Sequence, residues 1–147
     1  AQQLDSLAAN YGVDLGNTWK AKQLKNVLDG DGTIDGITNQ VKQMAKQQYG
    51  AFASQLDAGQ TMSEIADPYV QKMSDLLEMD PSSIGLNNSL IQKALTAKDK
   101  NGNPAAMNLT DFANAVRADP RWQYTANAKQ QVADVTSGLL KSFGLMA

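Results

Sequence analysis

Apolar residues recur at helical spacing along almost the whole chain, and no stretch of any length alternates as a strand would. Leu4, Leu7, Ala8 and Tyr11 fall at i, i+3, i+4 and i+7, and the stripe stops at Gly12, a residue suited to a helix C′ position. Asn17 is placed to cap a second helix carrying Trp19, Leu24, Val27 and Leu28, which runs into the Gly-rich turn 29–32. Thr33 opens a longer segment with Ile34, Ile37, Val41, Met44, Ala45 and Tyr49 on one stripe. Gly50 should bend or interrupt it before Phe52 and Leu56 continue to Gly59.

The clearest start signal is Thr61-Met-Ser-Glu64, a capping box in which hydroxyl and carboxylate satisfy two orphan amides reciprocally. Ile65, Ala66, Tyr69, Val70, Met73, Leu76 and Leu77 follow. Pro68 interrupts them, which predicts a break near Asp67 and a new helix with Pro68 in its first turn. Asp80-Pro81 repeats the arrangement as N-cap and N1 of a short turn through Ile84, and Leu90, Ile91, Ala94 and Leu95 mark another helix. The polar stretch 97–106 contains Asn101-Gly102 and Pro104 and reads as a loop or a small hairpin. Asn108 can cap a helix with Leu109, Phe112, Ala113 and Val116. Asp119-Pro120 breaks the chain again before Trp122 and Tyr124. The last helix carries Ala128, Val132, Val135, Leu139, Leu140 and Phe143, and Gly144-Leu145 reads as its Schellman-type ending. The expected fold is all-α: one domain over 1–147, a compact bundle of about six to eight short-to-medium helices with one turn-rich loop near 97–106.

Composition narrows the chemistry. The chain has no Cys and no His, which removes disulfides, thiolate and imidazole metal sites, cysteine nucleophiles and His-based triads. Charged residues make up only 19%, and the polar share is filled by 25 Gln and Asn, while Glu occurs only at Glu64 and Glu78. Such an amide-rich surface, weakly charged, suits a chain that lives inside an assembly. The net charge of −2, with both signs mixed along the chain, gives no basic stripe for nucleic acid; the densest basic stretch is Lys20, Lys22 and Lys25. No apolar run approaches the roughly 20 residues of a membrane span, and the N-terminus has no signal-peptide pattern.

Three constellations carry candidate chemistry. Asp29, Asp31 and Asp35 around Gly32 resemble the middle of a calcium loop, but that frame puts Val27 and Thr38 where the first ligand and the closing Glu belong. A helix-ending turn followed by an N-cap accounts for the same residues, and no metal or cofactor is expected. Glu64 and Glu78 could serve as the acid of a wall-cleaving glycosidase, yet Glu64 has its place in the capping box and Glu78 sits at a helix end. Trp122 and Tyr124 could stack on a base or a sugar; with so few aromatics and no basic surround, a clamp onto the last helix is the simpler reading. Met62, Met73 and Met79 suit either an adaptable surface or a core.

Several stretches, taken in order, resemble the C-terminal portion of large virion structural proteins of bacteriophages infecting actinobacteria, of the tape-measure or internal-virion type. They are Leu7-Ala-Ala-Asn-Tyr-Gly-Val13, Met62-Ser-Glu-Ile-Ala-Asp-Pro-Tyr-Val-Gln71, Met107-Asn-Leu-Thr-Asp-Phe112 and Asp119-Pro-Arg-Trp122, with the Phe143-Gly144 ending. The resemblance implies a helical, non-catalytic domain at the end of a longer chain, located in the virion and docked to other tail, tail-tip or internal virion proteins. A homo-oligomer is a further option. The lack of an initiator Met at Ala1 fits the same expectation. Docking should then use apolar residues left over by the core: Trp122, Tyr124, Leu139, Leu140 and Phe143, with Met73 and Met79. The alternative from another class is a peptidoglycan-cleaving or accessory domain of a virion-associated lysin.

Overall fold

The computed structural model describes residues 2–142, apart from the side chains of Val132, Leu140, Lys141 and Ser142. It is 71% helical and has no strands among the described residues, an all-α bundle well above the roughly one-third helix of an average domain. Eight α-helices follow in order: α1 (Gln2–Tyr11), α2 (Asn17–Leu28), α3 (Ile34–Gln48), α4 (Ala53–Asp57), α5 (Met62–Leu77), α6 (Ser89–Leu95), α7 (Leu109–Arg117) and α8 (Ala126–Ser142). Short 3-10 turns at Gly50–Phe52, Pro81–Ser83 and Pro120–Tyr124 join them.

Local chemistry sets most of the boundaries. Gly12 takes a left-handed φ of 62°, and the Val13 N–H then donates back to the Ala8 carbonyl at 3.1 Å, closing α1 with a Schellman bond. Thr33 caps α3 through Gly36, Asn88 caps α6 through Leu90 and Ile91, and Asn108 caps α7 through Asp111. Asp80 and Asp119 each accept an amide two residues on, from Ser82 and Arg121, with Pro in the first turn that follows. The 97–106 loop closes as a very small hairpin. Ala105 donates to Ala97, Asp99 donates to Asn103, and the Asp99 carboxylate takes the amides of Asn101 and Asn103.

Three expectations need correction. Asn17 is the first residue of α2 and not its cap; Gly16 occupies that position and makes no side-chain bond. At the start of α5 the Thr61 hydroxyl accepts from the Glu64 amide at 3.2 Å, but the Glu64 carboxylate meets that same hydroxyl and not the Thr61 amide. The expected break at Asp67 is absent, and α5 runs unbroken through Pro68. Pro68 and Glu64 both lie on the exposed side, so the carbonyl that Pro68 leaves without a donor faces water. Burial of Met62, Ala66, Tyr69 and Met73 on the other side holds the helix together across the gap.

The core lies around α5, which packs on α1, α6 and α7, while α3 packs on α1 and α4. Tyr49, Phe112, Leu56, Met62, Met73, Ile91, Leu95, Val41 and Val116 are its largest fully buried side chains. Phe112 meets the ring of Tyr69 edge to face, with centroids 5.3 Å apart and planes at 80°. Two helices stand apart from this plan. α2 buries only Gln23, and α8 joins the bundle by its first turn.

Candidate functional site

The residues nominated for docking separate on folding. Met73 is fully buried in the core, so it is not a surface anchor: its side of α5 faces the interior. Met62 is likewise buried, and Met79 is partly buried against the same cluster. Trp122 also packs against the core, and its buried indole N–H finds no acceptor among the described residues. Tyr124 does not clamp the last helix; the residue is 74% exposed. Leu139 is 55% exposed, and Val135, on the same stripe, is more exposed still. Phe143 and the Gly144-Leu145 ending lie outside the described residues, and Leu140 lies in α8 with its side chain outside the description.

The junction that carries α8 is well defined. Glu78 ends α5 in a left-handed conformation with φ 55°. Its carboxylate accepts from the Ala126 amide at 2.6 Å, so an acidic group from a distant segment caps the positive end of α8. The Thr125 hydroxyl accepts from Ala128, Asn127 reaches the Asp75 carbonyl, and Ala128 itself is buried. From Lys129 to Thr136 every described side chain is exposed. Both glutamates are thus engaged in helix starts, Glu64 at α5 and Glu78 at α8.

A second feature is a groove of about 890 Å³ between α1, α5 and the segment 81–87. Ala8, Val13, Ala66, Val70, Ile84 and Leu86 give it apolar walls, and its only charged lining residues are Asp14 and Asp67. Neither glutamate lines it. At its edge the buried Tyr49 hydroxyl donates to the Gly12 carbonyl and accepts from Gln92 at 2.7 Å and Gln48 at 3.1 Å. Gln92 also donates to the Leu86 carbonyl, so the amides tie α3 and α6 to the end of α1. Amide abundance in the sequence is partly used in this network, which spacing alone did not indicate.

The titratable groups act on stability. A backbone amide of Ser82 holds Asp80 below the ordinary carboxylate range, the amide of Asn103 does so for Asp99, and the Arg121 side chain for Asp119. Their folded values lie below the unfolded ones, so the stability they lend is present above about pH 4 and is lost as pH falls through the folded values. Burial raises the phenols of Tyr49 and Tyr69. The stability tied to their protonated form is present below about pH 10 and is lost as pH rises through the folded values. Thermal melts across pH should therefore show a plateau from about pH 5 to 9 with a fall on both sides. A melting temperature that rises below pH 4 would contradict the carboxylate assignments.

No family model, no curated protein and no solved structure matches this chain. Among the described residues no helix is long and apolar enough to cross a membrane.

Proposed function

We propose that this chain is a non-catalytic docking domain at the end of a large bacteriophage virion protein of the tape-measure or internal-virion type, held by other virion proteins in the tail or particle. One observation carries the docking part. Among the described residues, α8, 17 residues and so about 25 Å long, is tied to the rest of the chain at its first turn and leaves Val135 and Leu139 in water. A helix with its side chains exposed over most of its length gains little from its own chain, because helical stability in proteins comes mainly from packing an apolar face. A neighbouring protein laid along Tyr124, Val135 and Leu139 would supply that packing. The virion setting rests on the sequence resemblance.

The engagement of Glu64 and Glu78 in capping supports a non-catalytic reading. Purified chain should leave a peptidoglycan zymogram uncleared. In phage, Val135→Ser with Leu139→Ser should yield particles lacking the protein, while Glu64→Gln and Glu78→Gln assemble normally and degrade wall as before. Clearing by the purified chain that Glu64→Gln or Glu78→Gln abolishes would establish a wall-cleaving domain in place of a docking one.

A further inference from the structure

The tip of the 97–106 hairpin places a reactive amide in water. Asn101-Gly102 is the one Asn-Gly pair in the sequence. An asparagine amide carbon can be attacked by the backbone nitrogen of the next residue, closing a succinimide ring. The attack is easiest where that next residue has no Cβ to crowd the approach. Asn103 cannot react in this way, because Pro104 has no N–H to lose. Every other asparagine in the chain precedes a residue that carries a side chain. Residues 98–105 are all exposed, and Gly102, at φ 81°, has nothing within 4 Å of where a Cβ would stand.

Asp99 holds this tip closed. Its carbonyl accepts from the Gly102 amide at 3.1 Å, and its carboxylate accepts from the amides of Asn101 at 2.8 Å and Asn103 at 2.9 Å. The first bond occupies the N–H that must be lost. The carboxylate also sets a negative charge beside a nitrogen that would have to become anionic, which disfavours the attack. These bonds lie in water, and exposed bonds of this kind open locally at low cost. The base of the hairpin is separately anchored. Ala105 donates to Ala97 at 2.8 Å and Met107 to Ala94 at 3.0 Å, and Pro104 packs so close to Gly50 that a Cβ there would lie 2.9 Å from its ring. The tip can therefore open while α6 and α7 stay in place.

We propose that Asn101 is a site of spontaneous deamidation in the folded chain, paced by the hold of Asp99 on the turn. In the opened turn the Gly102 nitrogen loses its proton and bonds to Cγ of Asn101. The Cγ–Nδ2 bond breaks, and the amide nitrogen leaves as ammonia. Water then adds to one of the two ring carbonyls. Cleavage of the new bond at Cγ gives aspartate, and cleavage at the main-chain carbonyl gives isoaspartate, whose backbone runs through Cβ. Either product adds one negative charge to a chain of net −2 and sets it two residues from Asp99. Isoaspartate also lengthens the tip and breaks the pairing of Asp99 with Asn103. The chemistry does not depend on what α8 docks to.

Ageing the purified 147-residue chain in mildly alkaline buffer tests it. Chymotryptic peptides are followed by mass spectrometry, with fragmentation that tells isoaspartate from aspartate. Conversion is expected at Asn101 ahead of every other asparagine, with both products present and circular dichroism unchanged. Asp99→Ala, which removes two of the bonds on the tip and the nearby charge, should speed the conversion by about fivefold or more. The same chain unfolded in urea should convert faster still, because nothing then holds the turn. A native chain whose Asn101 stays intact while the urea-unfolded chain converts fully overturns the proposal, as does conversion led by another asparagine. An Asp99→Ala chain that reacts no faster than the native one overturns the pacing by Asp99.

Discussion

Replacing Phe112 by Ala should lower stability by about 4 kcal/mol, the middle of the range for emptying a buried phenylalanine site. Phe112 is fully buried where α7 packs on α5, and its loss also removes the edge-to-face contact with Tyr69. Tyr69 is not free to swing into the space, because its hydroxyl donates to the Met107 carbonyl just ahead of α7. The cavity should therefore stay largely open. Urea unfolding would show the change as a lower midpoint at unchanged slope, and the melting temperature should drop by about 10 °C. Leu139→Ala, in a side chain more than half exposed, should move stability by no more than about 0.5 kcal/mol. If Leu139→Ala proved as costly as Phe112→Ala, α8 would be part of the core and the docking proposal would lose its basis.

Gly12→Ala should cost about 3 kcal/mol, from two separate sources. The backbone there has φ 62°, which L side chains adopt only with strain, and a Cβ would lie 2.6 Å from the Tyr49 hydroxyl oxygen and 3.1 Å from Leu86 Cδ1. Tyr49 cannot yield cheaply: it is fully buried and bonded to Gly12, Gln48 and Gln92. The added methyl would break that network and leave the hydroxyl of the buried Tyr49 without its partners. Removing the hydroxyl should relieve the collision, so Gly12→Ala with Tyr49→Phe is expected to be less destabilised than the two single changes summed, by about 1 kcal/mol. Strict additivity would mean that backbone strain at Gly12 accounts for the whole cost.

These two sites differ in how far they could be read from residues alone. Phe112 stands in a short apolar stripe after Asn108, so both its helix and its burial follow from spacing and a cap. Gly12 shows its role as a helix ending equally plainly. That its carbonyl receives the Tyr49 hydroxyl, from the far end of α3, follows from no local pattern. Glu78 is similar: its place before Asp80-Pro81 marks a helix end, whereas its capping of α8 across 48 residues belongs to the tertiary arrangement.

The docking candidates show the same division. Met73 and Leu139 are both apolar residues at helical spacing, and the pattern cannot say which stripe finds a neighbour. Met73 is covered because α5 lies in the middle of the bundle, while Leu139 is not because α8 extends from its first turn. On α2 the geometry reverses the hydropathy, with Gln23 inside and Leu28 outside. The all-helical class, the caps at Thr33, Asp80, Asn108 and Asp119, the ending at Gly12 and the small hairpin near Asn101-Gly102 were determined by the sequence itself, because each depends on bonds within a few residues. The continuity of α5 through Pro68, the exposed faces of α2 and α8, and the Tyr49 network were decided only by the tertiary structure. They depend on which surfaces meet, and burial between distant segments outweighs local preference when the two disagree.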